Sequence, residues 1–209
     1  MTPQFSEILT TAQEIRDVLG EPGQRVLDKV IPRLDRHCQE FIAASPFMLI
    51  ASCDAQGQMD VSPKGDPAGF VQVLDETTLA IPDRVGNRRA DTLINLINNP
   101  RIGLLFLAPG KQETLRVNGR AQVVRDGWLR EQMAVRGKAP DLAIVVTVEE
   151  AFLHCAKCMI RSELWNPAAW PNVSSLASIA QVMVDHSQTT ETVESLAAQV
   201  AESYRDRLY

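Results

Sequence analysis

The chain has 209 residues, of which 45% are hydrophobic and 22% charged, and its formal net charge is −5 at pH 7. This length suits one domain with or without an appendage, and the composition is typical of a globular protein with a real core. No apolar run approaches the roughly 20 residues of a membrane helix. The N-terminal sequence does not resemble a secretory signal, so we expect a cytoplasmic protein. The acidic balance argues against general nucleic-acid binding.

Two helical patterns come first in the chain. Apolar residues spaced three and four apart predict a helix from Phe5 to Leu19, which the Gly-Glu-Pro-Gly sequence at 20–23 ends. A second pattern runs from Val26 to Ile42, and Pro32 is expected to kink or divide it. We therefore assign residues 1–44 to N-terminal helices that pack on the domain that follows.

From residue 47 the pattern changes to short apolar runs bounded by glycine, proline or aspartate, which predict antiparallel strands. The predicted strands cover residues 47–53, 59–62, 70–74, 78–81, 102–107, 114–118, 121–124 and 143–148. Two helices interrupt them, at 87–98 with Asn87 as its N-cap, and at 126–137. The predicted fold class is mainly β with helices, a small antiparallel barrel over residues 45–165.

A helical extension is predicted after the barrel, over residues 166–209. An extended linker at 166–171 precedes helices at 174–184 and 190–207, with Ser174 and Thr190 as candidate N-caps. Nothing in this extension indicates its purpose.

The four cysteines, Cys38, Cys53, Cys155 and Cys158, are expected to be reduced thiols. Cys155 and Cys158 form a CxxC motif, but a c-type haem site needs a histidine after the second cysteine. Zinc would need a second pair of ligands, and a redox dithiol is expected at a strand-to-helix junction, which these predicted elements do not supply. We expect inert, partly buried cysteines and no metal site.

Residues 81–89 reverse the charge of an otherwise acidic chain. Arg84, Arg88 and Arg89 cluster where a helix is predicted to begin. Because a helix N-terminus is already electropositive, arginines there favour a bound anion such as a phosphate. Lys64 lies just past a predicted strand end and reaches the same rim if the barrel closes. The alternative is a solvated turn with scattered charges.

Three motifs together resemble the pyridoxamine 5′-phosphate oxidase-like, FMN-binding split-barrel family. They are Ser-Pro-Lys-Gly-Asp at 62–66, Ile-Pro-Asp-Arg-Val-Gly-Asn-Arg-Arg at 81–89 and Arg-Ser-Glu-Leu-Trp at 161–165. The resemblance covers residues 41–165 and implies a homodimer with FMN at the subunit interface.

The resemblance also implies which residues bind FMN. Lys64 matches a lysine on the phosphate side, and Arg88 is the best-matched anion ligand. Thr114 matches a residue that reaches the flavin from the partner subunit, and Arg161 matches a late arginine near the ring. The complete implied set is Met59, Asp60, Val61, Ser62, Lys64, Ile81, Pro82, Arg84, Asn87, Arg88, Arg89, Thr114 and Arg161. Ile81 and Pro82 stand where the oxidases have a Tyr-Thr pair, so the resemblance implies only backbone contacts with FMN at these two positions.

One departure from the family limits the inference about activity. The oxidases grip their substrate with a late Arg-x-His motif, whereas residues 159–162 here read Met-Ile-Arg-Ser. The resemblance therefore implies an FMN-dependent oxidoreductase of an unknown small substrate, with NAD(P)H as a candidate donor. The alternative is a non-catalytic module that binds, stores or senses flavin or haem. No catalytic side chain is identified, and His154 is expected to be structural.

Overall fold

The computed structural model describes residues 3–209, in which seven strands and eight α-helices are defined. The strands are β1 (Phe47–Cys53), β2 (Met59–Gly65), β3 (Gln72–Asp75), β4 (Thr78–Asp83), β5 (Arg101–Leu107), β6 (Thr114–Val124) and β7 (Leu142–His154). The helices are α1 (Ala12–Leu19), α2 (Gln24–Asp28), α3 (Arg36–Ala44), α4 (Asp91–Asn98), α5 (Gly127–Gln132), α6 (Lys157–Ser162), α7 (Ile179–His186) and α8 (Val193–Asp206). No helix in this described part of the chain is long and apolar enough to cross a membrane.

All seven strands pair antiparallel in one sheet, in the order β2-β1-β5-β6-β7-β4-β3. Ile50 on β1 and Ile81 on β4 belong to the same buried core, although three strands separate them in the sheet. The sheet must therefore curl around that core, with β2 and β3 at its two edges. This architecture confirms the predicted fold class.

The longest pair of strands differs from the prediction. The two strands expected at 114–118 and 121–124 are one strand, β6, and β7 continues to His154 rather than ending at residue 148. Asn118 pairs with Glu150 and Gly119 with Val148, so one extra residue of β7 forms a bulge. The Asn-Gly sequence resembles a turn locally, but the bulge accommodates it within the ladder.

The N-terminal helix is shorter than its apolar periodicity predicts. It begins at Ala12 because Thr11 and Glu14 form a reciprocal capping box, with the Thr11 amide donating to the Glu14 carboxylate at 2.8 Å. None of the residues of α1 is buried. The predicted division at Pro32 is confirmed, since α2 ends at Asp28 and α3 begins after its Asp35 cap.

Three further helix boundaries correct the sequence analysis. Helix α5 ends at Gln132, well before residue 137. Helices α7 and α8 are capped by Ser178 and Thr192, not by Ser174 and Thr190. In each case the hydroxyl accepts from the backbone amide three residues later, which satisfies an otherwise unpaired donor of the first turn.

The close approach of β6 to β7 predicts that Gly119→Ala destabilises the fold. A Cβ atom at Gly119 would collide with the backbone carbonyl of Thr147. We expect the free energy of unfolding to fall by about 1–3 kcal/mol. In a chain of this size each kcal/mol lowers the Tm by about 2–4 °C. Thermal unfolding followed by circular dichroism measures it.

Gly127→Ala is the matched control for this prediction. A Cβ atom at Gly127 meets nothing within 4 Å, and the residue begins α5, so alanine is expected to be neutral or slightly stabilising. Equal Tm values for the two variants would contradict the steric account of the bulge.

Candidate functional site

A cavity of about 590 Å³ lies between strand β2 and the loop that joins β4 to α4. Residues 60–64 form one wall, residues 83–93 form another, and residues 138–141 with Tyr209 complete the lining. The lysine motif and the arginine motif, which are separated in sequence, therefore share one cavity. A site of this volume lies within the ordinary range for small-molecule ligands.

Eight of the residues implied by the resemblance line this cavity. They are Asp60, Val61, Ser62, Lys64, Arg84, Asn87, Arg88 and Arg89. Met59 lies just outside it, with its side chain exposed at the start of β2.

The remaining four implied residues do not line the cavity. The side chain of Ile81 is fully buried in the core, and that of Pro82 beside it is also buried. Thr114 is buried at the start of β6, where it pairs with His154 at the end of β7. Arg161 is exposed in the last turn of α6. Thr114 and Arg161 therefore do not contribute to the cavity of their own chain.

Lys64 is held at the cavity wall by an ion pair. Its ammonium Nζ lies 3.3 Å from Asp83 Oδ1, and the two side chains are 22% and 23% exposed. The pair joins edge strand β2 to the end of β4, two strands that are not neighbours in the sheet. A ligand that binds Lys64 must share it with Asp83.

Arg84 is a structural residue rather than a free cation. Its guanidinium donates to Asp66 at 2.5 Å and to the Met133 carbonyl at 2.8 Å. The Asp66 side chain is 1% exposed, so this carboxylate depends on its partners for charge compensation. Arg84 thus fixes the loop on which the other two arginines are carried.

Tyr209 also binds Asp66 and covers this ion pair. Its hydroxyl donates to Asp66 Oδ1 at 2.7 Å, and its backbone oxygen accepts from Lys138 Nζ at 2.9 Å. The Arg84 guanidinium lies 5.8 Å from the centre of the tyrosine ring. The hydrogen bond to Asp66 is the main reason that the pKa of the Tyr209 phenol is raised.

The start of α4 leaves its backbone donors without a side-chain cap. Helix α4 begins at Asp91, and its N-cap is Ala90 in the left-handed conformation. The predicted cap, Asn87, is wrong because its side chain accepts from the Arg89 amide at 3.0 Å instead. Arg88 also has a positive φ of 62°, whereas Arg89 between it and Ala90 does not, so left-handed and ordinary backbone conformations alternate before the helix. Such alternation turns successive N–H groups toward one concave surface.

The three arginines of this loop differ in availability. Arg89 pairs with Asp91 at 2.7 Å, and this contact raises the pKa of its guanidinium. Arg84 is committed to Asp66. Within residues 3–209, Arg88 makes no ion pair or side-chain hydrogen bond, and it is exposed at the cavity. An anion can therefore bind Arg88 without breaking an existing contact of its side chain.

The carboxylates of the cavity do not prevent anion binding. Asp83 and Asp91 are paired with cations, and Asp60 accepts from the Thr92 hydroxyl at 2.6 Å. Asp141 is exposed on the lining segment at 138–141. The combination of Arg88, a partly shared Lys64 and uncapped helix amides suits a phosphate.

Sequence reasoning missed three residues of this site. Thr92 binds Asp60, whereas Lys138 and Tyr209 bind each other and complete the lining. The Tyr209–Asp66 contact joins residues 143 positions apart. No local pattern in the sequence indicates a contact over that separation.

Comparison with known proteins identifies a family and a group of similar folds. The family model described as pyridoxamine 5′-phosphate oxidase matches residues 34–155, more than half of the chain. No curated protein matches the chain.

Three solved structures illustrate the similar folds. HupZ of Group A Streptococcus is 20% identical, with a TM-score of 0.47 over 57% of this chain and 92% of its own. An FMN-binding protein of Syntrophomonas wolfei is 11% identical, with a TM-score of 0.45 over 68% of this chain and 93% of its own. HutZ of Vibrio cholerae, described as a haem storage protein, is 18% identical, with a TM-score of 0.41 over 58% of this chain and 94% of its own.

The length of the family match decides the assignment. It includes helix α3, all seven strands and both cavity motifs at 60–64 and 83–93. The chain belongs to the pyridoxamine 5′-phosphate oxidase family.

Proposed function

We propose that the cavity binds FMN and that the protein is an FMN-dependent oxidoreductase acting on a small substrate. The observation that carries this proposal is Arg88, a cation with no partner among the described residues, beside the uncapped start of α4. A phosphate monoester dianion matches such a site, because guanidinium and backbone N–H groups both donate to its oxygens. Neutral flavins lack this group and would lose the contact.

The wall formed by strand β2 suits a flat, polar ring. Strand β2 is an edge strand, so one side of its backbone is not paired within the sheet. Asp60 and Ser62 alternate with the more exposed Met59 and Val61. The two polar side chains therefore lie on the less exposed face of β2. The β2 backbone can therefore donate to and accept from the edge of a ring, with Lys64 near its end.

A bound flavin supplies the hydride and electron transfer itself, whereas the protein binds, orients and tunes it. This explains why no acid–base side chain is required in the lining. The pKa of His154 is lowered, mainly by burial and further by the charges of Arg116 and Lys29, so its imidazole is favoured in the neutral form. His154 does not line the cavity, in keeping with a structural role.

A homodimer with FMN at the interface is part of the proposal. Thr114 lies outside the cavity of its own chain, which suits the resemblance, because the matching residue reaches the flavin from the partner subunit. Arg161 also lies outside this cavity, so a place near the ring would require a second subunit. Met59 and Val61 on edge strand β2 are 69% and 60% exposed, which favours burial against another chain. We also propose a cytoplasmic location, which agrees with four cysteines that are free of disulfide bonds in this structure.

Anaerobic reduction distinguishes the proposed activity from its alternative. The purified protein is loaded with FMN and mixed with NADH or NADPH while flavin absorbance is followed in a stopped-flow instrument. Bleaching followed by reoxidation with an added acceptor supports an oxidoreductase. FMN binding with no reduction by either donor supports storage or sensing, and haem binding without FMN binding would overturn the flavin assignment.

Arg88→Ala is expected to weaken FMN binding by about 1.5–3 kcal/mol, the value of a hydrogen bond to a charged group. This corresponds to a Kd roughly 10- to 150-fold higher. Riboflavin, which has no phosphate, should bind both proteins equally. Quenching of flavin fluorescence during titration of the apo-protein measures both constants.

Arg25→Ala is the matched control for this substitution. Arg25 is an exposed arginine on α2 that lies outside the cavity lining. Its loss should leave the Kd for FMN unchanged. An equal FMN affinity for Arg88→Ala and the unaltered protein would remove Arg88 from the site.

Asp83→Asn is expected to act in the opposite direction. Removing this carboxylate releases Lys64 and takes a negative charge away from the bound phosphate. We expect FMN to bind a few-fold more tightly, a gain of about 1 kcal/mol or less for a pair that is partly exposed. Asp185→Asn, on α7 and outside the lining, serves as control. Weaker FMN binding by Asp83→Asn alone would show that Lys64 needs Asp83 to be positioned.

A further inference from the structure

The CxxC motif occupies a different position from the one that the sequence analysis expected. Cys155 directly follows β7, and Cys158 lies in the first turn of α6. Both side chains are exposed. The expectation of partly buried cysteines is therefore wrong for this pair, and the strand-to-helix junction that a redox dithiol requires is present.

The backbone between the two cysteines brings them within bonding range. Ala156 has φ −68° and ψ −9°, and Lys157 already belongs to the helix. Two central residues of this conformation form a turn, which places its first and last Cα atoms within about 7 Å. A disulfide usually joins Cα atoms that are about 4.4–6.8 Å apart. Cys155 and Cys158 can therefore be joined without rearranging β7 or α6.

The other two cysteines lie in different surroundings. Cys38 is buried in the core, and burial raises the pKa of its thiol to about 12. Cys53 is half-buried, and its Sγ accepts from the Asn99 side chain at 3.1 Å. Neither has a second cysteine three residues away. Only Cys155 and Cys158 combine exposure with a nearby partner thiol.

Cationic groups lie beside the end of β7 that precedes this pair, where the Lys29 ammonium also donates to the Leu153 carbonyl at 2.8 Å. Lys157 lies between the cysteines in the chain. The Arg116 guanidinium and the Lys29 ammonium lie 4.5 and 5.4 Å from the ring centre of Phe152, which contacts the ring of His154. Glu150 is 3.8 Å from Arg116 and offsets part of this charge. The remaining positive charge favours an anionic reaction partner.

We propose that Cys155 and Cys158 form a reversible disulfide by exchange with an acidic small-molecule disulfide of the glutathione type. The thiolate of one cysteine attacks a sulfur of the small disulfide, whose S–S bond breaks and releases one thiol. The second cysteine then attacks the mixed disulfide and releases the other thiol. Two protein thiols are oxidised, one small disulfide is reduced to two thiols, and the two protons pass to those thiols.

The test uses the folded, full-length protein and does not depend on bound flavin. Reduced protein is incubated with oxidised glutathione, the remaining thiols are blocked with N-ethylmaleimide, and the peptides are mapped by mass spectrometry. We expect the peptide that contains both cysteines to lose two hydrogens and to accept no label. Added dithiothreitol should restore both labels.

Two serine variants provide the matched controls. Cys155→Ser and Cys158→Ser should each retain one glutathione as a mixed disulfide, because the second attack is then impossible. Cys38→Ser should behave as the unaltered protein. Labels on both Cys155 and Cys158 after oxidation of the unaltered protein, or a disulfide that involves Cys38 or Cys53, would overturn the proposal.

Cystamine, a cationic disulfide, tests the class of reaction partner. At low ionic strength we expect oxidised glutathione to oxidise the pair several-fold faster than cystamine does, after correction by a model dithiol. Added salt should reduce this ratio because it screens exposed charges. Equal corrected rates at low salt would reject the preference for an acidic partner.

Discussion

The buried ion pair between Arg84 and Asp66 is the constraint on which the geometry of the cavity depends. It joins the segment after β2 to the segment after β4, and the same guanidinium binds the carbonyl of Met133 after α5. Removing one partner of a buried pair typically costs about 3–5 kcal/mol, because an uncompensated charge remains. The ion pair therefore holds the arginine loop in one position. Arg84 therefore provides position, and Arg88 provides the charge that is available to a ligand.

The distribution of charge pairs in the cavity supports the anion binding that we propose. Five basic side chains line it, but most of them already compensate carboxylates or bind backbone oxygens. A cavity lined by unpaired arginines would attract any anion, including the acidic groups of other proteins. Here the unpaired charge is concentrated at one end, beside the backbone donors of α4. A ligand with one terminal phosphate satisfies that arrangement better than one with charges spread along its length.

The sequence predicted the sheet well because strand patterns are local. Most strands were placed to within a few residues, and the effect of Pro32 on the N-terminal helices was anticipated from its missing amide hydrogen. Helix α4 was predicted to begin too early, because Asn87 is a common N-cap residue. In the structure its side chain forms a local turn with Arg89, and two left-handed residues delay the helix. That competition between a cap and a turn cannot be resolved from residue types alone.

The site was only partly predictable for a related reason. Lys64, Arg84 and Arg88 were found because they belong to short motifs with unusual charge. Their different roles follow from partners that lie far away in the chain, such as Asp83 for Lys64 and Tyr209 beside Arg84. Motifs thus identified the residues, and tertiary contacts decided which of them remains free for a ligand.

Strand β7 separates the two sites that we propose. Its first residue, Leu142, pairs with Asp83 at the cavity, and its last residue, His154, immediately precedes the CxxC motif. A strand of 13 residues is roughly 40 Å long, so the dithiol and the cavity lie at opposite ends of it. His154 also pairs with Thr114, the residue proposed to reach a flavin in the partner subunit. In the homodimer that we propose, an exchange of electrons between the dithiol and a flavin would therefore involve the flavin of the partner subunit.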